Sequence, residues 1–151
     1  MLMPQPVYFF ILVFVLLGSG TAYSSMPEPS GTTNQNDMTP EKAIALAESF
    51  GVDVGEVDEE IKKILGLTKA EGVVVFAVIG GSPAELAGIK VKAVIKEVDK
   101  HEIKTLVDLG HALEKALQTQ NFSVATYEPA DPDNQGLTGG LNFHFVRLAK
   151  D

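Results

Sequence analysis

The segment that most constrains the fold is an apolar run that leads at once into a short helix. Val73 to Ile79 is apolar throughout and mostly β-branched, which predicts a central strand buried on both faces. Gly80-Gly81 ends this strand. Ser82-Pro83 then begins a helix, because serine is a favoured N-cap and proline is favoured at the first helical position. Glu85 completes a capping box and Gly88 supplies a left-handed exit, so the sequence predicts a one-turn helix with both ends defined.

Similar start and stop signals divide the rest of residues 39–148 into short elements. We predict helices over Pro40–Phe50, Asp58–Leu65 and Leu106–Gln118, and strands over Val52–Val54, Val94–Val98, Phe122–Glu128 and Leu141–Leu148. In the last strand Leu141, Phe143 and Phe145 alternate with polar residues, which is typical of a half-buried strand. The pattern predicts an α+β fold: a small, mainly antiparallel β-sandwich or partial barrel capped by two or three helices.

Length, charge and residue usage exclude several functions. The 151 residues allow one ordinary domain, and the net charge of −8 argues against binding to a phosphate backbone or any other nucleic-acid surface. The absence of cysteine excludes disulfides, thiolate zinc sites and cysteine nucleophiles. His101, His111 and His144 have no metal-ligand spacing, and we interpret them as exposed or half-exposed. We expect no metal, no cofactor and, since no serine lies in a nucleophile motif, no enzyme activity.

An uncharged apolar segment precedes the predicted domain. Val7 to Leu17 is an unbroken apolar run with the length of a signal-peptide core, about half of the roughly 20 residues that a spanning helix needs. We expect a signal peptide over residues 1–25 and export to the periplasm or the extracellular space. An uncleaved anchor facing the periplasm is the alternative, and it would be the only membrane contact. Residues 26–38 are rich in Pro, Ser, Gly, Thr and Asn and predict a flexible linker before a domain over residues 39–151.

The segment Gly81–Ile89 (GSPAELAGI) resembles the G-S-P-A-x-x-A-G-Φ signature of a known family. The family is the PDZ domain, in the circularly permuted form that follows the protease domain of bacterial HtrA-type enzymes. The resemblance covers about Ser49 to Leu148, including Phe50-Gly51-Val52 before a short helix and Ile103–Leu113, which is similar to the Φ-x-S-x-x-D-L helix entry. The residues before it leave no room for the two-barrel protease domain, so we expect a PDZ fold without one.

The resemblance implies a site for extended peptides, often free C-termini. In the family, backbone N–H groups of the Φ-G-Φ loop point at the peptide carboxylate, and the following strand pairs with the peptide. Residues of the long helix line an apolar pocket for the terminal side chain. Carried over to this sequence, the peptide-binding residues are Phe50, Gly51, Val52, Asp53, Val54, Leu106, Gly110 and Leu113, while Leu109, Ala112 and Ala116 face the core. An apolar helical stripe is nevertheless more often core than groove.

Three positions depart from the family pattern. The family usually has Gly-Asp where this chain has Lys92-Ala93, and Asn-Gly where it has Asp99-Lys100. Since glycine commonly takes a positive φ at such positions, its loss requires either a different turn or some strain. Glu48-Ser49 replaces the arginine or lysine often found before the loop, and an acid beside a carboxylate site lowers affinity for C-termini.

Three functional hypotheses follow. The first is an exported, non-enzymatic PDZ protein that binds extended peptides or C-termini of partner proteins as an adaptor, sensor or scaffold. The second is a structural or assembly subunit that docks on a membrane or envelope complex through another surface. The third is a calcium module, because Asp131 to Gly136 is similar to half of a calcium loop. Position 12 of that loop is Asn142, where a bidentate glutamate is needed, so a polar hairpin loop is favoured.

Overall fold

The structure is a computed structural model, and it describes residues 37–130 and 139–148. In chain order the elements are α1 (Pro40–Phe50), β1 (Val52–Glu56), α2 (Glu59–Leu65), β2 (Val73–Val78), α3 (Pro83–Leu86), β3 (Val94–Val98), β4 (His101–Glu102), α4 (Leu106–Ala116), β5 (Asn121–Glu128) and β6 (Gly140–Arg147). The predicted signal peptide, most of the predicted linker and the calcium-like loop lie outside the described residues.

All described strands belong to one antiparallel sheet with the order β1-β2-β3-β5-β6, and β4 pairs with β3 beside this path. The mainly antiparallel α+β fold is therefore confirmed. The sheet is open, with β1 at one edge and β6 at the other. These two edges are the places where the described part of the domain can accept a further strand.

The helix ends lie within two residues of the predicted ones: Asp58, predicted as the first residue of α2, is its N-cap, and α4 ends at Ala116 rather than at Gln118. Thr39, Asp58 and Ser82 are N-caps whose side chains accept hydrogen bonds from the first turns of α1, α2 and α3. Gly51 and Gly66 end α1 and α2 in the left-handed conformation. These predictions succeed because caps depend on residues only three or four positions apart.

The main core lies between the inner face of the sheet and the two longest helices. Ala43, Ala47 and Phe50 line the buried face of α1. The Phe50 ring packs edge to face on Phe122 of β5, with 5.4 Å between the ring centroids. On the other face of the sheet, a smaller cluster around Val74 lies beneath α2. The helix α1 is thus part of the core and is not an appendage of the domain.

The prediction that the whole second strand is buried on both faces is wrong. Val73, Val74 and Val75 are buried, but Phe76 and Ile79 are each about half exposed, at 51% and 53%. The reason is the sheet register, since β3 pairs only with Val73 and Val74. Val75 still bonds to Lys92 and Ala93 just before β3, but from Phe76 onward β2 pairs only with β1 among the described strands, so its later side chains reach solvent.

The buried face of β6 is the opposite of the one that the alternation suggests. Leu141, Phe143 and Phe145 point to solvent, whereas His144 and Val146 are buried. The Nε2 atom of His144 is 2.8 Å from Thr126 Oγ1, and its Nδ1 atom is 3.1 Å from the Ala87 carbonyl oxygen. Because both ring nitrogens have partners, this histidine can be buried at low cost. The interpretation of His144 as exposed or half-exposed is therefore wrong.

The turns that lack the family glycines keep a positive φ. Lys92 has φ 72°, and Asp99 and Lys100 have φ 45° and 68°. The last two form a two-residue hairpin turn between Val98 and His101, and positive φ at both positions is the type I′ pattern. Asp99 Oδ1 accepts a hydrogen bond of 2.9 Å from the Ser123 N–H of β5, which holds the turn in place. Of the two alternatives, strain rather than a different turn is confirmed.

Candidate functional site

The free edge of β1 is the first feature of the candidate site. Within residues 37–130 and 139–148, β1 pairs only with β2, so its other edge has no strand partner. An unpaired edge presents a row of N–H and C=O groups to any added strand. The far end of β1 is tied to α4, because Glu56 Oε2 accepts a 3.1 Å hydrogen bond from the Leu106 N–H.

Gly51 connects α1 to β1, and no other residue fits its position. It has φ 113°, and a Cβ atom there would lie 2.1 Å from Ser82 Oγ. Its N–H donates to the carbonyl oxygens of Ala47 and Glu48 at 3.2 and 3.1 Å, and its carbonyl oxygen accepts from the Ile79 N–H at 2.8 Å. The Gly51 N–H therefore caps α1 in this conformation, and it faces a peptide carboxylate only if the end of α1 moves.

The pocket wall predicted on α4 is covered by the chain itself. Leu106 and Leu113 are 7% and 0% exposed, and Gly110 is buried as well. A Cβ atom on Gly110 would lie 2.3 Å from Met38 Sδ and 3.0 Å from Ala43 Cβ. The glycine thus lets Met38 and α1 pack directly on α4. The segment formed by Met38 and α1 occupies the space that a ligand side chain would need.

The eight predicted site residues are brought together, but they differ in exposure. Phe50, Val52 and Val54 belong to the core, as do the α4 residues, and only Asp53 is exposed. Met38 is not among the predicted residues, but it lies at the end of the predicted linker and is partly buried against the core. Its signal was a large apolar side chain just before the helix N-cap at Thr39.

The start of α1 is anchored by polar contacts. The Lys42 ammonium donates a 3.0 Å hydrogen bond to the Asp37 carbonyl oxygen. Hydrogen bonds from the Glu41 backbone N–H and from the Thr39 hydroxyl lower the pKa of the Glu41 carboxyl. A lowered pKa means that the ionised carboxylate favours the helix above its usual pKa, and that this support is lost as the pH falls. Acidification therefore weakens the anchoring of α1.

The described residues show neither a metal-binding cluster nor a spanning helix. They contain no group of three or more His, Cys, Asp or Glu side chains placed to hold a metal ion. None of their helices is long and apolar enough to cross a bilayer.

Comparison with known proteins supports the fold. No protein-family model and no curated protein matches the chain. The solved structure of the HtrA-type protease AlgW with a decapeptide is similar at a TM-score of 0.51 and 24% identity, over 65% of this chain and 27% of that chain. The HtrA3 PDZ domain bound to a phage-derived ligand (FGRWV) is similar at a TM-score of 0.50 and 16% identity, over 65% and 82%. The match thus spans about a quarter of the AlgW chain. These similarities show that the domain has a PDZ-like fold.

Proposed function

We propose that this chain is a non-enzymatic peptide-binding protein whose PDZ-like domain accepts an extended segment or a C-terminus of a partner protein. The ligand adds as a strand to the free edge of β1. The observation that carries the proposal is this edge, which begins at the Gly51 loop and ends at Glu56, whose side chain bonds to the start of α4, in a PDZ-like sheet. The two similar structures are of an HtrA-type protease with a decapeptide and of a PDZ domain bound to FGRWV. The charge-free apolar segment at the N-terminus supports export of the protein to the periplasm or the extracellular space.

Peptide binding at this edge has to work against α1. Because Met38 and Ala43 cover Gly110, a ligand side chain reaches the α4 wall only in molecules in which this segment has moved. The apparent affinity then falls by the fraction of molecules that are open. We therefore expect weak binding, with a Kd of about 1 to 100 μM, as for short peptides that bind by adding a strand to a sheet.

The test is a titration of the full chain with labelled peptides that end in an apolar residue, each with a free and an amidated C-terminus. The peptide carries a label whose fluorescence anisotropy is measured, because the chain has no tryptophan whose intrinsic fluorescence could report binding. We expect binding of the free acids and about tenfold weaker binding of the amides, as one charge-assisted contact is lost. Equal binding of acids and amides points to internal segments as ligands. If no peptide changes the backbone amide signals of Asp53 to Gly55 in NMR spectra, the proposal is wrong.

Met38→Ala is expected to tighten peptide binding at β1. The substitution removes most of the side chain that packs on Gly110, which lowers the free energy needed to open the groove by about 1 kcal/mol and raises affinity by about fivefold. The measurement is the Kd for the same peptide, with urea unfolding to verify that the variant is folded. The matched control is Ile64→Ala, which truncates an exposed side chain on α2 and should leave the Kd unchanged. An unchanged Kd in Met38→Ala means that the peptide binds without displacing this segment.

A further inference from the structure

The second edge of the sheet carries an apolar stripe that the β1 site does not use. Within the described ranges β6 pairs only with β5. Leu141, Phe143 and Phe145 lie on one face of β6 and are 57%, 61% and 79% exposed. Proteins usually protect a sheet edge with charges or short strands, so a long edge with three large apolar side chains indicates a binding surface.

A cleft continues this surface at the end of β6. Its volume is about 960 Å³, and it is lined by Pro83, Leu86 and Ala87 on one side and by Phe145, Arg147 and Leu148 on the other. Leu86 is 81% exposed and faces the cleft, so the apolar surface extends from β6 onto α3. None of the eight residues predicted for the β1 site lines this cleft.

Arg147 gives the surface a charge preference. It follows Leu141, Phe143 and Phe145 at the next alternate position, and among the described residues it is the one charged side chain that lines the cleft. It is also the only arginine in a chain with a net charge of −8. Within the part of the chain that the structure describes, it has no ion-pair partner. A carboxylate beside the stripe would complement this guanidinium, since arginine and carboxylate form charge-assisted hydrogen bonds.

A second copy of the chain is a poor occupant of this surface. Two copies would each bring a charge of −8, which opposes association. A two-fold pairing of β6 with itself would place Arg147 of one copy beside β6 of the other, and β6 (GLNFHFVR) contains no carboxylate. The charge pattern therefore favours a partner of a different sequence.

We propose that the β6 edge binds an extended segment of another protein in which an acidic side chain precedes apolar residues at alternate positions. The segment adds antiparallel to β6, as every strand pair described in this sheet is antiparallel. In that direction its first residue lies opposite Arg147, and its third, fifth and seventh residues lie opposite Phe145, Phe143 and Leu141. This site is independent of the proposed function of β1.

The test uses the full chain and a labelled peptide, blocked at both ends, in which glutamate is followed by three valines at alternate positions, separated by threonines. We expect saturable binding that Arg147→Glu weakens about tenfold and Arg147→Lys leaves within about threefold. Phe143→Lys should weaken binding by more than tenfold, because it places a charge in the middle of the apolar stripe. Ile64→Lys is the matched control, as it introduces the same charge at a 72% exposed position of α2, and it should have no effect.

Two peptide variants test the charge and the direction of the bound segment. A peptide with glutamine in place of glutamate should bind about threefold more weakly. A peptide with the same residues in reversed order should bind the unmodified protein as weakly as the original peptide binds the Arg147→Glu variant. Amide signals of residues 141–147 should shift in NMR spectra while those of Asp53 to Gly55 do not. The proposal is overturned by absence of binding, by binding that neither Arg147→Glu nor Phe143→Lys changes, or by shifts confined to β1. It is also overturned if sedimentation shows a dimer that Phe143→Lys dissociates, because the occupant would then be a second copy.

Discussion

Phe50→Ala is expected to lower the free energy of unfolding by about 3 to 5 kcal/mol, the range for large-to-small changes of buried aromatic residues. Phe50 is fully buried, and its ring packs edge to face on Phe122. The truncation leaves a cavity between α1 and β5 that rigid strands cannot close. The measurement is urea unfolding followed by far-ultraviolet circular dichroism.

The matched control for this change is Phe143→Ala. It removes the same atoms from a ring that is 61% exposed on β6, so the unfolding free energy should change by no more than about 0.5 kcal/mol. If Phe50→Ala costs less than about 1 kcal/mol, α1 does not pack on β5 through this ring. A large loss combined with loss of peptide binding does not identify Phe50 as a ligand contact, because an unfolded domain binds nothing.

The residues predicted from the family resemblance are therefore poor reporters of the site. Seven of the eight are buried, and charged or bulky substitutions at Leu113 or Gly51 would unfold the domain before they tested a groove. Met38 is the better reporter, because it packs against the proposed groove but is only partly buried. The groove is thus best tested by a substitution at Met38, which lies outside the family motif from which the groove is predicted.

Local chemistry explains what could be predicted from the sequence. The N-caps at Thr39, Asp58 and Ser82 and the positive φ at Gly51 and Gly88 depend on short segments, and the elements begin and end near the predicted residues. The order of these elements then leads to a PDZ-like sheet. The edge strand of the candidate site follows from this order, since β1 is the first strand and pairs only with β2 among the described residues.

Contacts between distant residues decided the rest. Alternation in β6 defines two faces but does not say which is buried, and that choice depends on Thr126 and Ala87, the partners of His144. The covering of Gly110 by Met38 joins positions 72 residues apart in the chain. Neither contact leaves a periodic signal. For this reason the sequence indicates the peptide groove but neither its closure by α1 nor the apolar edge of β6.

Gly51→Ala is expected to lower the free energy of unfolding by about 3 kcal/mol, because two costs coincide at this position. An alanine at φ 113° is strained, and its Cβ atom would overlap Ser82, whose Oγ and Cβ atoms lie 2.1 and 2.2 Å from that point. Ser82 cannot easily retreat, as its hydroxyl caps α3 through the Glu85 N–H at 3.2 Å. The change should therefore loosen the junction between α1 and β1 together with the start of α3.

Gly66→Ala separates these two costs. Gly66 also ends a helix at positive φ, 64°, but a Cβ atom there would meet nothing within 4 Å, so only the backbone strain of about 1 kcal/mol is expected. The comparison is made by urea unfolding of both variants under the same conditions. A larger loss of unfolding free energy in Gly51→Ala than in Gly66→Ala means that packing on Ser82 holds the junction of α1 and β1 in place. In that case α1 leaves the groove only as a whole helix, if it leaves at all. Equal losses in the two variants mean that Ser82 moves away at little energetic cost. The end of α1 can then move as well, and the Gly51 N–H becomes free to bind a peptide carboxylate.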